Sequence, residues 1–158
     1  MFRLSSSAFE SESTIPAQFS CEGRNISPEL TWSGAPAGVK SFALIMHDPD
    51  APVEGGYTHW LAYNIPGAIT HLPENVPNQD RIPAGGLQGK NDGGKYGYTG
   101  PCPPSGTHRY YFRLYALDSE LDPRAGLNKE SLEKAMQGHI LAKAELLGRF
   151  KRSAGKAA

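Results

Sequence analysis

A chain of 158 residues with 39% hydrophobic and 20% charged side chains can bury one ordinary core, which predicts a single domain over 1–158. Lys plus Arg (16) balance Asp plus Glu (16), so no global field draws the protein to nucleic acid or an anionic membrane, and any anion must be held locally. No run is apolar and long enough to span a bilayer, and Met1-Phe2-Arg3-Leu4-Ser5-Ser6-Ser7 lacks a signal peptide's apolar stretch, so a cytoplasmic protein without stable membrane insertion is expected.

Short apolar or alternating runs, separated by Gly, Pro, Asn and Asp, recur through the first 117 residues. This punctuation predicts a mainly β fold, an antiparallel β-sandwich. The candidate strands are residues 2–4, 18–21, 30–33, 41–48, 59–65 and 108–117. Cys21 and Cys102 have no metal-ligand spacing. A reducing cytoplasm favours two free thiols, although both lie in turn-rich segments that can meet in space. Residues 85–106 hold eight glycines, yet the embedded Asn91, Asp92, Tyr96, Tyr98 and three prolines predict an ordered functional loop rather than a linker.

Near the C terminus Leu132, Ala135, Met136, His139, Ile140, Leu146 and Leu147 recur with a helical period behind a plausible Asn128 cap. The spacing predicts one C-terminal α-helix packed on the sheet. Lys143, Arg149, Lys151 and Arg152 then fall at its end, where cations complement the helix dipole, and residues 152–158 form a frayed tail.

Three strands carry the chemistry. Side chains alternate faces along a strand. In residues 41–48 the row Phe42, Leu44, Met46 ends in Asp48, just before Pro49. A carboxylate ending an apolar row needs donors, because burying it unpaired is costly. In 59–65, His59 opens a row with Leu61, Tyr63 and Ile65; in 108–117, His108 opens a row with Tyr110, Phe112, Leu114 and Ala116. If the first two strands form an antiparallel pair, Asp48 and His59 approach each other. The expected site is Asp48, His59, His108 and Tyr110 at the rim of the sandwich. Asp50 fits equally a turn cap and a site residue. His47 lies on the row opposite Asp48, His71 in a loop and His139 on the helix, and structural roles are expected for all three.

The motifs Asp48-Pro49-Asp50-Ala51-Pro52, Gly55-Gly56-Tyr57-Thr58-His59-Trp60 and Gly100-Pro101-Cys102-Pro103-Pro104-Ser105-Gly106-Thr107-His108-Arg109-Tyr110 closely resemble the phosphatidylethanolamine-binding protein family. The bacterial and archaeal Raf kinase inhibitor-like branch is the nearest match, and the likeness runs from about residue 20 to residue 150. The resemblance implies a small pocket for phosphate-like groups, phospholipid head groups included. The family's pocket acid maps to Asp48, its histidines to His59 and His108, and its tyrosine to Tyr110. Asp50 and the Gly100-Pro101 backbone match neighbouring pocket positions. Animal and plant members carry a longer C-terminal segment over the pocket that is not matched here, and bacterial relatives imply a homodimer in its place.

Together these readings predict a binding protein for a phosphate ester or phospholipid head group, with a regulatory role such as kinase modulation, and no enzyme. Two imidazoles, the Tyr110 hydroxyl and backbone N–H groups of the Gly100 loop would donate to the anion, with Asp48 orienting one imidazole, so binding should strengthen toward mildly acidic pH. Alternatives are an interaction module for a phosphorylated partner or a protein kinase, and a metal-dependent enzyme using Asp48, His59 and His108 as a facial triad. The glycine-rich loop suits an oxygen-rich anion better than a cation, so neither metal nor cofactor is expected.

Overall fold

A computed structural model describes residues 1–153. In chain order its elements are β1 Arg3–Ser5, β2 Ser13–Thr14, a 3₁₀ turn Ala17–Phe19, β3 Leu30–Ser33, β4 Ser41–Asp48, β5 Tyr57–Pro66, β6 His71–Leu72, β7 Leu87–Gln88, β8 His108–Leu117, α1 Lys129–Met136 and β9 Ile140–Phe150. The strands form a three-stranded sheet, β1-β3-β6, and a six-stranded sheet, β2-β9-β8-β4-β5-β7. The fold is therefore mainly β with one helix near the C terminus, as the strand punctuation predicts.

The alternating rows explain how the layers stack. Phe42, Leu44, Met46, Phe112 and Leu114 meet Leu4, Leu30, Trp32 and Leu72 of the smaller sheet in the principal core. The opposite face of β4 and β5, with Ala43, Ile45, Leu61 and Tyr63, packs on Leu132 and Met136 of α1. Coverage on both sides leaves every residue of β4 buried. Each such large apolar side chain contributes about 1.5–3 kcal/mol on full burial.

The long C-terminal helix is half strand. Asn128 caps α1 as expected, its side chain accepting from the Ser131 N–H at 2.8 Å, but the helix stops at Met136 and Gly138 turns the chain at φ 82°. From Ile140 the operative period is two. Ala144, Leu146 and Phe150 enter the core while Lys143, Glu145, Leu147 and Arg149 point outward, and β9 pairs along the full length of β8. Lys143 and Arg149 thus sit on a strand, and Arg149 donates to the Glu12 carbonyl at 2.7 Å instead of serving a helix dipole. One pairing also departs from an all-antiparallel sandwich: β2 runs parallel to β9, with Ser13 and Thr14 opposite Gly148 and Arg149.

Three further expectations change. Residues 18–21 form no strand but run from the 3₁₀ turn, which ends at Phe19, into the turn that follows it, because Ser20 bonds back to the Ala17 carbonyl through both its N–H (3.0 Å) and its hydroxyl (2.7 Å). His71 belongs to β6 and pairs with Glu29 at 3.0 Å. His139 follows α1 and meets Asp118 at 2.8 Å.

Cys21 and Cys102, expected as free thiols, are joined in a disulfide with Cα atoms 5.4 Å apart across 81 residues of sequence. The turn after Ala17–Phe19 brings Cys21 to the Gly100 loop, where its N–H donates to the Pro101 carbonyl at 3.1 Å. Arg152 and Ser153, placed in a frayed tail by the sequence, lie against Cys102 and Glu22 respectively. The rest of that tail, 154–158, lies outside the described residues.

Candidate functional site

β4 ends in Asp48, and Pro49 takes the chain out of the ladder there. Asp48 is 2% exposed. Its Oδ1 accepts from the Asp50 N–H at 2.8 Å, and its Oδ2 accepts from His108 Nδ1 at 2.6 Å. The turn role expected of Asp50 thus belongs to Asp48. Asp50 instead faces Arg109, taking bonds from its backbone N–H (2.9 Å), Nε (3.0 Å) and terminal NH2 (2.8 Å). That guanidinium holds the Asp50 carboxyl down to about 2.

The return loop into β5 needs glycine at 56. Gly56 has φ 81°, and a Cβ there would lie 2.7 Å from His47 Nε2. His47 meets Thr58 Oγ1 at 3.0 Å and the Gly55 carbonyl at 2.8 Å.

His59 reaches the site by a route that simple alternation does not give. The β4–β5 register pairs Met46 with Trp60 but His47 with Thr58, so His59 is the extra residue of a β-bulge. Trp60 consequently joins the principal core with Met46, whereas Leu61 and Tyr63 face α1. His59 and Leu61, expected on one row, lie on opposite faces. The bulge turns His59 toward the end of the apolar row, beside Tyr110.

His59 and Thr99 clamp each other: Nδ1 donates to the Thr99 carbonyl at 2.7 Å, and the Thr99 N–H donates to the His59 carbonyl at 3.0 Å. In both rings, then, an oxygen acceptor fixes the proton on Nδ1 and leaves Nε2 without a protein partner among the described residues. Burial pulls His59 below the ordinary imidazole range, with the Thr99 carbonyl and Asp48 pulling back. Tyr110 lies between the rings, its centroid 5.3 Å from His59 and 6.4 Å from His108. It is fully buried, and its hydroxyl has no partner among the described residues. Burial and the nearby Asp48 charge push that phenol upward, so it stays a neutral donor.

Asp48, His59 and His108 open onto a cavity of about 350 Å³. Its walls include residues that the sequence reading missed: Ala51, Pro52, Val53 and Tyr57 on one side, Thr99, Cys102 and Pro104 on the other. Ala51 and Pro52 had a legible signal beside Asp48; Thr99 had none, because its carbonyl does the work. Gly100 lines the cavity, but its N–H donates to Asn25 Oδ1 at 2.8 Å and is not available to an anion. A Cβ there would overlap the Phe19 carbonyl oxygen, so this glycine serves close packing. Pro101 is buried behind the wall, with its carbonyl bonded to Cys21. Asp50, Pro101 and Tyr110 therefore lie outside the lining, as supports.

The triad expectation does not match this geometry. Both Asp48 oxygens are engaged, and the described residues contain no group of three His, Cys, Asp or Glu side chains placed to hold a metal. Two imidazole edges beside an apolar wall instead suit a small ligand with one polar end.

Comparison with known proteins points the same way. Residues 5–151 match the family model described as phosphatidylethanolamine-binding protein. A UPF0098 protein of Methanothermobacter thermautotrophicus is 52% identical over 149 residues, 94% of this chain and 98% of that protein. Among solved structures, a putative phosphatidylethanolamine-binding protein homologue, CT736 from Chlamydia trachomatis, superposes with a TM-score of 0.89 at 42% identity, covering 96% of this chain and 98% of its own. The E. coli protein YbcL, described as a member of the mammalian PEBP family, gives 0.88 at 34% identity, covering 96% and 99%. A two-sheet fold with a ligand-sized cavity at one end defines the class. The chain belongs to the phosphatidylethanolamine-binding protein family.

Proposed function

We propose that the cavity binds a small phosphate ester, the phosphoryl group against His59 and His108, with Tyr110 packed behind the two rings, and the organic substituent along Ala51, Pro52 and Pro104. The supporting observation is the pair of imidazoles, His59 and His108, each anchored through Nδ1 and each lining the same cavity. Neutral rings present lone pairs at Nε2. Phosphate recognition therefore requires proton uptake, after which each Nε2 becomes a charge-assisted donor.

Regulation is part of this proposal. Val53 at the cavity mouth is 55% exposed, which leaves the entrance accessible to a phosphate carried on a lipid head group, a protein kinase or another phosphoprotein. We place the protein in the cytoplasm as a homodimer whose second copy borders the entrance. No helix among the described residues is long and apolar enough to cross a membrane.

Two-dimensional NMR titration with inorganic phosphate and O-phosphorylethanolamine tests the reading, following imidazole signals in the native protein and in His108→Ala. Saturable shifts at His59 and His108 that the variant loses are expected. No shift with either probe, alongside capture of a protein partner that His108→Ala does not weaken, would move the function from the cavity to the surface.

A further inference from the structure

We infer that the Cys21–Cys102 bridge is a redox latch on the cavity wall, opened by dithiol reductants of the surroundings, and that opening it weakens ligand binding; the ligand half rests on the phosphate reading above. Cys102 lines the cavity together with Pro104. Immediately before it the wall is well tethered. Tyr98 donates its hydroxyl to the Phe19 carbonyl at 2.7 Å, Gly100 its N–H to Asn25 at 2.8 Å, and the Pro101 carbonyl accepts from Cys21 at 3.1 Å. At His108 the ladder of β8 begins.

Between these anchors, residues 102–107 make no backbone hydrogen bond among the described residues. Pro103 and Pro104 have no N–H to give, and Ser105, Gly106 and Thr107 are exposed. What ties this stretch to the body is the disulfide, the packing of the buried Pro103, and Arg152, whose guanidinium lies 3.7 Å from Cys102 Sγ. A few proline contacts do not fix the dihedral angles of neighbouring residues, so opening the bridge frees one wall and leaves Asp48, His59 and His108 in place.

The bridge is also reachable, since Cys21 and Cys102 are both exposed. A thiolate of an external dithiol attacks Cys21 Sγ, the S–S bond breaks, and Cys102 leaves as a thiolate. The reductant's second thiol then resolves the mixed disulfide. Two electrons pass to the pair, the reductant departs as its cyclic disulfide, and two protons complete the cysteine thiols. Arg152 beside Cys102 favours that leaving thiolate, whereas Cys21 has Glu22 as its chain neighbour. The geometry thus sets the direction of opening as well as its consequence.

The test compares the native protein oxidised, reduced with dithiothreitol, and reoxidised, alongside Cys21→Ser, which removes the bridge without altering a lining residue. Backbone ¹⁵N heteronuclear NOEs read the wall, and titration with O-phosphorylethanolamine reads the cavity. Reduction is expected to lower the NOEs of Cys102, Ser105, Gly106 and Thr107 and to weaken the probe about tenfold, with reoxidation restoring both; Cys21→Ser should match the reduced protein with or without reductant. Unchanged NOEs on reduction would overturn the latch, and so would collapse of signals throughout β4, β5 and β8, which would make the bridge a staple of the whole fold. Cysteines that stay alkylatable after treatment with oxidised glutathione would overturn it as well. Failure of the oxidised protein to bind the probe defeats the phosphate reading instead, and the NOE comparison still decides whether the bridge holds the wall.

Discussion

Asp48 holds His108 through one buried contact, Oδ2 to Nδ1 at 2.6 Å, while its other oxygen closes the turn onto the Asp50 N–H at 2.8 Å. The carboxylate thereby joins the end of β4 to the start of β8 and fixes which ring nitrogen faces the cavity. Asp48→Asn keeps the shape but makes the two atoms unequal. The amide oxygen can satisfy the Asp50 N–H only if the amide NH2 faces His108, and an NH2 donor requires a lone pair on Nδ1. The neutral ring should therefore switch from the Nδ1–H to the Nε2–H form, read from imidazole ¹⁵N shifts. Loss of the charge-assisted bond costs about 1.5–3 kcal/mol, so O-phosphorylethanolamine binding at mildly acidic pH should weaken at least about tenfold. Persistence of the Nδ1–H form in the variant would contradict the assignment.

The same residues show what a sequence can and cannot disclose. The apolar row ending in Asp48 and the row opening at His108 are readable because β4 and β8 alternate without interruption near the site. His59 reaches the same end of the sandwich through a bulge that alternation does not reveal. Alternation groups it with Leu61 and Tyr63, which the bulge puts on the helix side. A bulge costs one residue of register and leaves no compositional mark. The C-terminal error has a similar origin. A helical period and a strand period both fit residues 140–150 when one face is apolar, and pairing with β8 decides between them. The disulfide was obscured differently, because compartment is a prior and a 5.4 Å Cα separation is a geometry.

The pH dependence follows from His59. Burial lowers its folded value below the 6.5 of a free imidazole. Above that range the ring is neutral in both states and stability is fully present. As pH falls through 6.5 the unfolded chain takes up a proton that the folded ring refuses, so stability declines until the lower folded value is passed. His47 is lowered by burial too and acts in the same direction. The melting temperature should fall as pH is taken from neutral toward 5, and His59→Gln should flatten part of that slope. Anion binding should run oppositely, strengthening with acid as the imidazoles take up protons. Sulfate is the suitable probe, because phosphate monoesters change their own charge near pH 6. A melting temperature that rises on acidification, or sulfate affinity that does not respond to pH, would exclude this linkage.

Gly100 separates two explanations for a glycine beside a ligand cavity. If it served ligand approach, Gly100→Ala would weaken binding and leave the fold intact. The geometry predicts the reverse emphasis. A Cβ at this position would overlap the Phe19 carbonyl and lie 2.5 Å from Asn25 Oδ1, and Asn25 accepts the Gly100 N–H that pins the wall. Neither neighbour moves freely, since Phe19 is fully buried and its carbonyl also accepts from the Tyr98 hydroxyl at 2.7 Å. Relieving the overlap must break one of these bonds or shift the 3₁₀ turn Ala17–Phe19, which leads into the turn carrying Cys21. Overpacking of this kind costs about 1–3 kcal/mol. For a domain of this size that corresponds to a melting temperature lower by roughly 2–12 °C, and calorimetry on the oxidised protein measures it directly. An unchanged melting temperature combined with lost O-phosphorylethanolamine binding would return Gly100 to the ligand.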